Sequence, residues 1–258
     1  MSELKTNKIA TNDGNNVAID NSLNLKSYTT TARNALTSAA GDMIYNSTDN
    51  KVQFFNGSSW VDTGSATFDI DYLVIAGGGA GGRQFGGGGG AGGYRNSYNN
   101  ETSGRGASSE TAQTVSKEVA LLVTVGAGGA GNTNSKGNDS IFNIVLSKGG
   151  GSSVANKDGG AGAGGAASSI GPTAGTGTTG QGFDGGSGSA TNGASAGGGG
   201  AGAAGGDSAS TGNGVAGNGG NGLSSSITGS AVTRGGGGGS APQGPGAAPI
   251  FYGGASGS

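Results

Sequence analysis

The chain has 258 residues, a formal net charge of −2, and neither cysteine nor histidine. The missing cysteines exclude a disulfide framework and a thiolate metal site, and the missing histidines remove the commonest general base and metal ligand. The near balance of 13 basic and 15 acidic residues leaves no polycationic patch for nucleic acid, and no apolar run approaches the roughly 18 to 20 residues of a membrane span. We therefore expect a protein that is not an enzyme, holds no metal or cofactor, and does not insert into a membrane.

The composition changes sharply near residue 70. Residues 1–76 contain four glycines, and the rest of the chain contains 60 of the 64. Leu, Ile, Val and Phe together make up only about 15% of the chain, which is little for an apolar core. The sequence therefore predicts a β-rich module at 1–70, for attachment and oligomerisation, and a glycine-rich domain at 71–258.

Turn signals and alternating apolar residues predict short elements in the first region. In chain order they are strands at Val17/Ile19 and Leu23/Leu25, a short helix over 31–38, a hairpin of 42–46 with 51–55, and a strand at 60–61. These strands carry too few apolar residues to bury a core within one chain. We therefore expect them to need other copies of the chain or a neighbouring domain, with Trp60 at a subunit contact.

In the second region, apolar runs that lead into glycines predict three strands, at 71–76, 119–125 and 141–146. We expect Tyr94, Tyr98 and Phe85 to cover the sheet. Asp69 and Asp71 are candidates for holding a cation, although a solvated strand edge explains them as well.

Several structures could account for so much glycine. Collagen is excluded because the chain has only four prolines. A flexible linker is the ordinary meaning of Gly/Ser-rich sequence, but the apolar residues between Ile170 and Val232 have no use in one. A bundle of polyglycine-II helices needs small residues where backbones approach closely. Every third residue from Gly159 to Gly180, and again from Gly193 to Gly220, is small. Ile170, Pro172 and Phe183 fall near the break between these frames, where the chain is expected to reverse.

A nucleotide site is a competing interpretation of Gly77, Gly79 and Gly82, which follow a predicted strand with dinucleotide-binding spacing. Glu101 stands about where a ribose-binding acid is expected. That motif needs a helix directly after the glycines to receive the phosphates. The glycines after Gly82 cannot form one, so we expect no nucleotide.

Two stretches resemble parts of bacteriophage tail fibres. Residues 41–60, GDMIYN…KVQFFNGSSW, resemble a short tail-fibre module. Residues 72–131, YLVIAGGG…GAGGYR…VTVGAGGAG, resemble the glycine-rich domain of phage tail fibres, and similar blocks continue to residue 239. The chain also looks like T-even-type tip adhesins, whose glycine-rich segments pack as polyglycine helices with receptor-binding loops between them.

The resemblance implies a fold that is mostly irregular and β: a short-stranded fibre module followed by a polyglycine-II helix bundle with a few strands. It implies a virion protein, homotrimeric, that binds a bacterial surface receptor, either a glycan or an outer-membrane protein. Residues 1–70 would then contact other tail proteins. No signal peptide is recognisable, as expected for a protein made in the host cytoplasm and released by lysis.

Bulky residues on the loops are the expected receptor contacts, because aromatic groups offer large apolar area at low entropic cost. The first candidates are Phe183, Ile170 and Pro172, and the second are Phe251 and Tyr252. For each, an anchor that packs the side or end of the bundle is an equally good explanation. Two other functions remain open: an ice-binding protein built on polyglycine helices, and a purely structural extracellular filament.

Overall fold

The computed structural model describes residues 23–64, 67–82, 86–117, 119–131, 133–153, 157–167, 172–189, 193–209 and 215–240. The chain separates into two compact units, Met1–Thr67 and Phe68–Ser258. The described residues are mostly strands and irregular backbone with almost no helix, and none of their several small sheets is closed. None of their helices is long and apolar enough to cross a membrane.

The first unit is built on a four-stranded sheet in the order β1-β2-β3-β4. Its elements are β1 (Ser27–Tyr28), α1 (Thr30–Asn34), β2 (Met43–Asn46), β3 (Lys51–Phe55) and β4 (Trp60–Asp62). The predicted hairpin is present as β2 and β3, but the helix begins earlier and is shorter than predicted. The strand predicted at Leu23 and Leu25 is wrong, since these residues are irregular and β1 follows them. Val17 and Ile19 lie outside the described residues.

A polar network takes the place of an apolar core in this unit. Asn46 and Gln53 are 0% and 4% exposed. The Asn46 amide donates to Gln53 Oε1 at 3.1 Å, Arg33 donates to the same oxygen at 2.7 Å, and Gln53 donates to Asp62 at 2.6 Å. Buried polar groups paired in this way avoid the cost of lost hydration. Hydrogen bonds among polar side chains therefore allow this sheet to bury its interior although it has few apolar residues.

The strands of the second unit form one three-stranded and three two-stranded sheets among the described residues. They are β5 (Thr67–Ile70) with β8 (Gln113–Ser116), β6 (Leu73–Ile75) with β7 (Tyr94–Asn96), β9 (Val123–Thr124) with β10 (Ser140–Phe142) and β11 (Val145–Ser147), and β12 (Leu223–Ser225) with β13 (Val232–Arg234). Tyr72, Val74 and Val145 form a small apolar core, with Phe142 packed against it.

Two of the predicted strands are wrong in extent. Residues 141–146 are not one strand but the hairpin of β10 and β11, because the chain turns at Asn143, whose φ is +54°. Asparagine tolerates this left-handed conformation better than most residues. Of residues 119–125, only Val123 and Thr124 are in a strand, where they pair with β10.

Backbone hydrogen bonds join the glycine-rich segments sideways at intervals of three residues. The N–H groups of residues 76, 79 and 82 donate to the carbonyl oxygens of residues 93, 90 and 87, at 3.1, 2.8 and 3.0 Å. Because donor numbers rise while acceptor numbers fall, these two segments run antiparallel. The same interval recurs between other segments, as in Gly150 to Gly77 and Ser153 to Ala80, or Gly162 to Phe183 and Gly165 to Gly186.

Two segments, 86–93 and 194–201, lie at the centre of this network. Residues 87–93 and 194–201 are buried throughout. Segment 194–201 shares two backbone hydrogen bonds with each of six neighbours: 88–91, 162–165, 183–186, 203–206, 217–220 and 235–238. A Cβ added at any of its glycines, 197–200, would overlap a carbonyl oxygen of a neighbouring segment. The glycine runs 86–90 and 197–200 therefore lie where backbones approach from several sides.

Aspartates supply acceptors where no carbonyl oxygen does. In the described part of the second unit, four of them accept a backbone N–H at 2.6–2.8 Å: Asp139 from Gly149, Asp158 from Thr176, Asp184 from Gly177 and Asp207 from Ser187. This explains why Asp184 and Asp207 persist in a part of the sequence that is otherwise nearly uncharged.

Candidate functional site

Phe183 is the first residue after a chain reversal. The N–H groups of Gln181 and Gly182 both donate to the carbonyl oxygen of Thr178, which closes the turn. The backbone of Phe183 then joins the network, donating to Gly200 and accepting from Gly162. Its half-buried ring lies beneath the Arg105 guanidinium, 5.8 Å from the ring centroid. One part of the Phe183 ring is therefore exposed to solvent, and another part is covered by the Arg105 guanidinium.

Arg105 comes from the connection between β7 and β8 and has φ of +60°. Its N–H donates to the carbonyl oxygen of Ala201 at 2.8 Å, which fixes the backbone. Its guanidinium makes two hydrogen bonds to the Asp184 carboxylate, at 2.6 and 3.0 Å. The hydrogen bond from Arg105 lowers the pKa of Asp184, and the same bond raises the pKa of Arg105. The pair is neutral overall and holds the guanidinium over the Phe183 ring in a cation–π contact.

Two carboxylates anchor the same connection elsewhere. Glu110 accepts two hydrogen bonds from Arg95, at 2.8 and 2.6 Å, and one from the Tyr72 hydroxyl at 2.8 Å. Burial opposes ionisation of Glu110, but the hydrogen bonds from Arg95 and Tyr72 outweigh it and lower the pKa. Burial, followed by the hydrogen bond to Glu110, raises the pKa of Tyr72. These contacts tie the end of the connection to strands β6 and β7.

Glu101 ties the start of the connection to the hairpin of β12 and β13. Its carboxylate accepts from the backbone N–H and hydroxyl of Ser226, at 2.9 and 2.7 Å, and from the Asn96 amide at 3.0 Å. Burial alone would raise the pKa of Glu101, but hydrogen bonds from Ser225, Ser226 and Asn96 bring it to about 2. Residues 101–110 are thus held at three points, and Arg105 is positioned over Phe183 as a result.

The structure does not bring the sequence-predicted contact residues together. Gly188 donates to the carbonyl oxygen of Pro172 at 2.6 Å, so Pro172 lies level with Gly188 and about 15 Å along the segment from Phe183, at roughly 3.1 Å per residue. Ile170, Phe251 and Tyr252 lie outside the described residues. Pro172 and Phe183 therefore belong to opposite ends of the glycine-rich segments.

The described residues that flank several connections lie at the same end of the glycine-rich segments as Pro172. The described residues next to positions 83–85, 154–156 and 190–192 all lie at this end. The hydrogen bonds that establish it are Gly82 to Gly87, Ser153 to Ala80, Gly88 to Ala196 and Ser189 to Ala194. We call it the connection end. Phe183, Arg105 and the hairpin of β12 and β13 lie at the opposite end.

The other residues of interest have structural partners. Tyr94 is fully buried, and the Trp60 ring packs against Phe55 in the first unit, with 5.5 Å between the ring centroids and the two planes tilted by 56°. The two aspartates considered for a cation accept hydrogen bonds, Asp69 from Thr114 and Asp71 from Ser97. In the described part of the chain, no group of three or more acidic residues is placed to hold a metal. Phe85 lies outside that part.

Arg105 was missed by sequence reasoning, because nothing local distinguishes it from an ordinary surface arginine. Asp184 did carry a signal, as one of very few charges after Asp158. Glycines 77, 79 and 82 are irregular backbone that is hydrogen-bonded to other glycine-rich segments, and the described residues 86–93 that come next after Gly82 are not helical.

Comparison with known proteins gives one match, to a family model described as a glycine-rich domain, over residues 54–258. No curated protein and no solved structure shows significant similarity to the chain. The match covers the whole glycine-rich network and its strands, and it begins within β3 of the first unit. Because it spans most of the chain, the protein belongs to the glycine-rich domain family.

Proposed function

We propose that the glycine-rich segments of the second unit are polyglycine-II helices packed as a bundle. Such a helix has three residues per turn and no internal hydrogen bonds, so each side of it meets the same neighbour at every third residue. The interval of three between bonded residues supports this assignment. So do the six neighbours of segment 194–201, the arrangement expected for a helix surrounded by others of its kind.

On this scaffold we propose a phage tail fibre or fibre-tip adhesin that recognises a receptor on a bacterial surface, either a glycan or an outer-membrane protein. The observation that carries the proposal is the connection end, where the hydrogen-bonded network gathers the described residues that flank several connections. Binding residues are commonly found on loops that a rigid scaffold positions. The resemblance of residues 41–60 and 72–131 to tail fibres supports the same function.

The proposal includes the assembly and location of the protein. The chain would act in the virion as a homotrimer, with residues 1–70 joining it to other tail proteins. It would be made in the host cytoplasm and would leave the cell by lysis. Two described surfaces are candidates for receptor contact: the connection end with Pro172, and the opposite end with Phe183. Ile170 remains a candidate outside the described residues. Phe251 and Tyr252 remain candidates on the C-terminal segment.

The test is decoration of bacterial cells by fluorescently labelled full-length protein, measured across a panel of strains by flow cytometry. We expect saturable labelling of particular strains, weakened at least about tenfold by Ile170→Asp or Phe183→Ala. Phe68→Ala is the matched control, because Phe68 is an aromatic residue of β5 that is 52% exposed. Melting temperatures of all variants establish that they are folded. Labelling of no strain would refute the receptor proposal, and labelling unchanged by either variant would refute these two contacts.

A second candidate function is ice binding, favoured by one observation. Thr173 and Thr176 are exposed and stand three residues apart on one glycine-rich segment, so their side chains are about 9 Å apart along it. Exposed Thr179 follows in the turn that ends this segment. A thermal-hysteresis measurement at millimolar protein tests this function. Hysteresis abolished by Thr176→Lys would support it, and a wild-type protein without hysteresis would reject it.

A further inference from the structure

A groove in the first unit lies between α1 and the turn that joins β3 to β4. Its volume is about 460 Å³, within the range of protein sites that bind small molecules. We call it the Trp60 groove. Among the residues that line it are Arg33, Asn34, Phe55, Ser58, Ser59 and Trp60.

Two aromatic rings belong to one wall of the groove. Strand pairing places Trp60 of β4 opposite Phe55 of β3, and both residues are half-buried. The turn between them is fixed by Asn56, whose Oδ1 accepts hydrogen bonds from the backbone N–H groups of Ser58 and Ser59, both at 2.9 Å. This wall therefore offers apolar ring area beside two exposed serines.

The opposite wall carries Arg33 of α1, whose guanidinium is held by two side-chain amides. Its Nη1 donates to Gln53 Oε1 at 2.7 Å, and its Nε and Nη2 donate to Asn34 Oδ1 at 3.0 and 2.8 Å. These bonds use three of the five N–H groups of the guanidinium and leave two. Arg33 is absent from the ion pairs among the described residues, and it is the one charged residue in the described lining of the groove. A planar guanidinium in this state is suited to a carboxylate.

The nearest other charges belong to a smaller groove that shares Trp60 with the first. Lys26 and Asp42 line it. The Lys26 ammonium lies over an aromatic ring, 5.1 Å from the centroid, and the Asp42 carboxylate accepts a backbone N–H at 2.8 Å. These two charges are opposite in sign, so Arg33 determines the net charge of the joined grooves.

We propose that the Trp60 groove binds an acidic saccharide, with a carboxylate at Arg33 and a sugar ring against Trp60. A pyranose ring has apolar C–H faces and a rim of hydroxyls, which match an aromatic wall flanked by serine and asparagine side chains. A carboxylate on the sugar would take the two remaining N–H groups of Arg33, whereas a neutral sugar would leave this cation without a counter-charge. The site lies in the first unit and does not depend on the receptor surfaces proposed in the second unit.

The test is isothermal titration calorimetry of the full-length protein with trigalacturonate and, as its uncharged counterpart, galactotriose. Trp60 is the one tryptophan of the chain, so tryptophan fluorescence reports on this groove in the same titrations. We expect trigalacturonate to bind and to change the fluorescence, and galactotriose to bind at least about tenfold more weakly. Arg33→Gln and Trp60→Ala should each raise the dissociation constant for trigalacturonate at least about tenfold.

Lys51→Gln is the matched control for Arg33→Gln. It removes one positive charge from β3 of the same sheet, at a residue outside the described lining of the groove. The control should bind trigalacturonate as the wild type does, and melting temperatures establish that all variants are folded. Comparison of the two saccharides on the wild-type protein needs no substitution, so the proposal stays testable if a variant unfolds.

Three results would overturn the proposal: no binding of trigalacturonate, equal binding of the two saccharides, or binding that neither Arg33→Gln nor Trp60→Ala weakens. No binding is also the result expected if a subunit contact covers Trp60. Cell decoration tests the receptor surfaces of the second unit, so failure of this site and failure of the receptor proposal are distinguishable.

Discussion

Replacing Gly88 by alanine tests whether backbone packing stabilises the second unit. Gly88 lies in the central segment 86–93, where its N–H donates to Ala196 and its carbonyl oxygen accepts from Gly164. A Cβ added to Gly88 would overlap the carbonyl oxygen of Gly238 and lie 2.6 Å from its carbonyl carbon and 2.8 Å from the Gly198 nitrogen. These are backbone atoms, so no side-chain rotation relieves the overlap.

The expected loss of stability follows from the shift of Gly238 that is needed to relieve this overlap. Gly238 donates to Gly89 at 2.9 Å and accepts from Gly198 at 2.8 Å, so a shift of Gly238 weakens two hydrogen bonds, each contributing about 0.5–1.5 kcal/mol. Overpacking adds about 1–3 kcal/mol. Alanine gives back about 0.4–1 kcal/mol by restricting the unfolded chain. We therefore expect Gly88→Ala to lower the free energy of unfolding by about 3 kcal/mol.

Urea denaturation followed by circular dichroism measures this loss. Gly81→Ala is the matched control: it makes the same change near the same segments, but its added Cβ would meet no backbone atom closer than 3.7 Å. The control should be neutral or up to about 1 kcal/mol more stable than the wild type. A Gly88→Ala protein as stable as the control would refute the conclusion that close backbone contact holds the unit together.

Three further predictions concern the polar anchors. Arg105→Ala should lower the free energy of unfolding by about 1–2 kcal/mol, because it removes a partly exposed ion pair with Asp184 and uncovers Phe183; an unchanged thermal melt would contradict this. The pKa of Glu101 falls from a usual value near 4.5 to about 2 on folding, so its contribution to stability is complete above about pH 4.5 and is lost as pH falls toward 2. Urea midpoints of Glu101→Gln should therefore decline less between about pH 5 and 2 than those of the wild type, and parallel declines would disprove the link. Gln181→Leu should cost about 1–3 kcal/mol in urea denaturation, because the amide oxygen of this buried residue accepts from the Lys148 N–H at 2.8 Å and that N–H would be left without its partner. The Leu146 carbonyl oxygen, which accepts from the Gln181 amide at 3.3 Å, would keep its hydrogen bond from Arg95. A stable variant would show that water replaces the amide.

Local sequence signals were sufficient for some elements and not for others. The hairpin of β2 and β3 was predictable because alternating apolar residues and a polar turn are contained in a dozen residues. The same reasoning fails at 141–146, where the apolar run predicts one strand but the chain reverses direction at Asn143. The run does not reveal the turn, because asparagine is compatible with strand edges as well as with turns.

The candidate site shows the same division. Phe183 was singled out from the sequence as a bulky residue near a chain reversal, and it does follow a turn. Arg105, which covers the Phe183 ring, is held by an ion pair with Asp184, a residue 79 positions away in the sequence. Glu101 is anchored by Ser226, which is 125 positions away. Contacts at that separation leave no local pattern.

The glycine content alone indicated close backbone packing, because only residues without bulky side chains permit it, and the runs of three-residue spacing were visible as well. It did not indicate which segment lies beside which. When nearly every residue is Gly, Ala or Ser, many registers are sterically equivalent, so side chains do not select the partners. The tertiary structure selects them through backbone hydrogen bonds that must all be satisfied together, and this requirement places segments 86–93 and 194–201 at the centre.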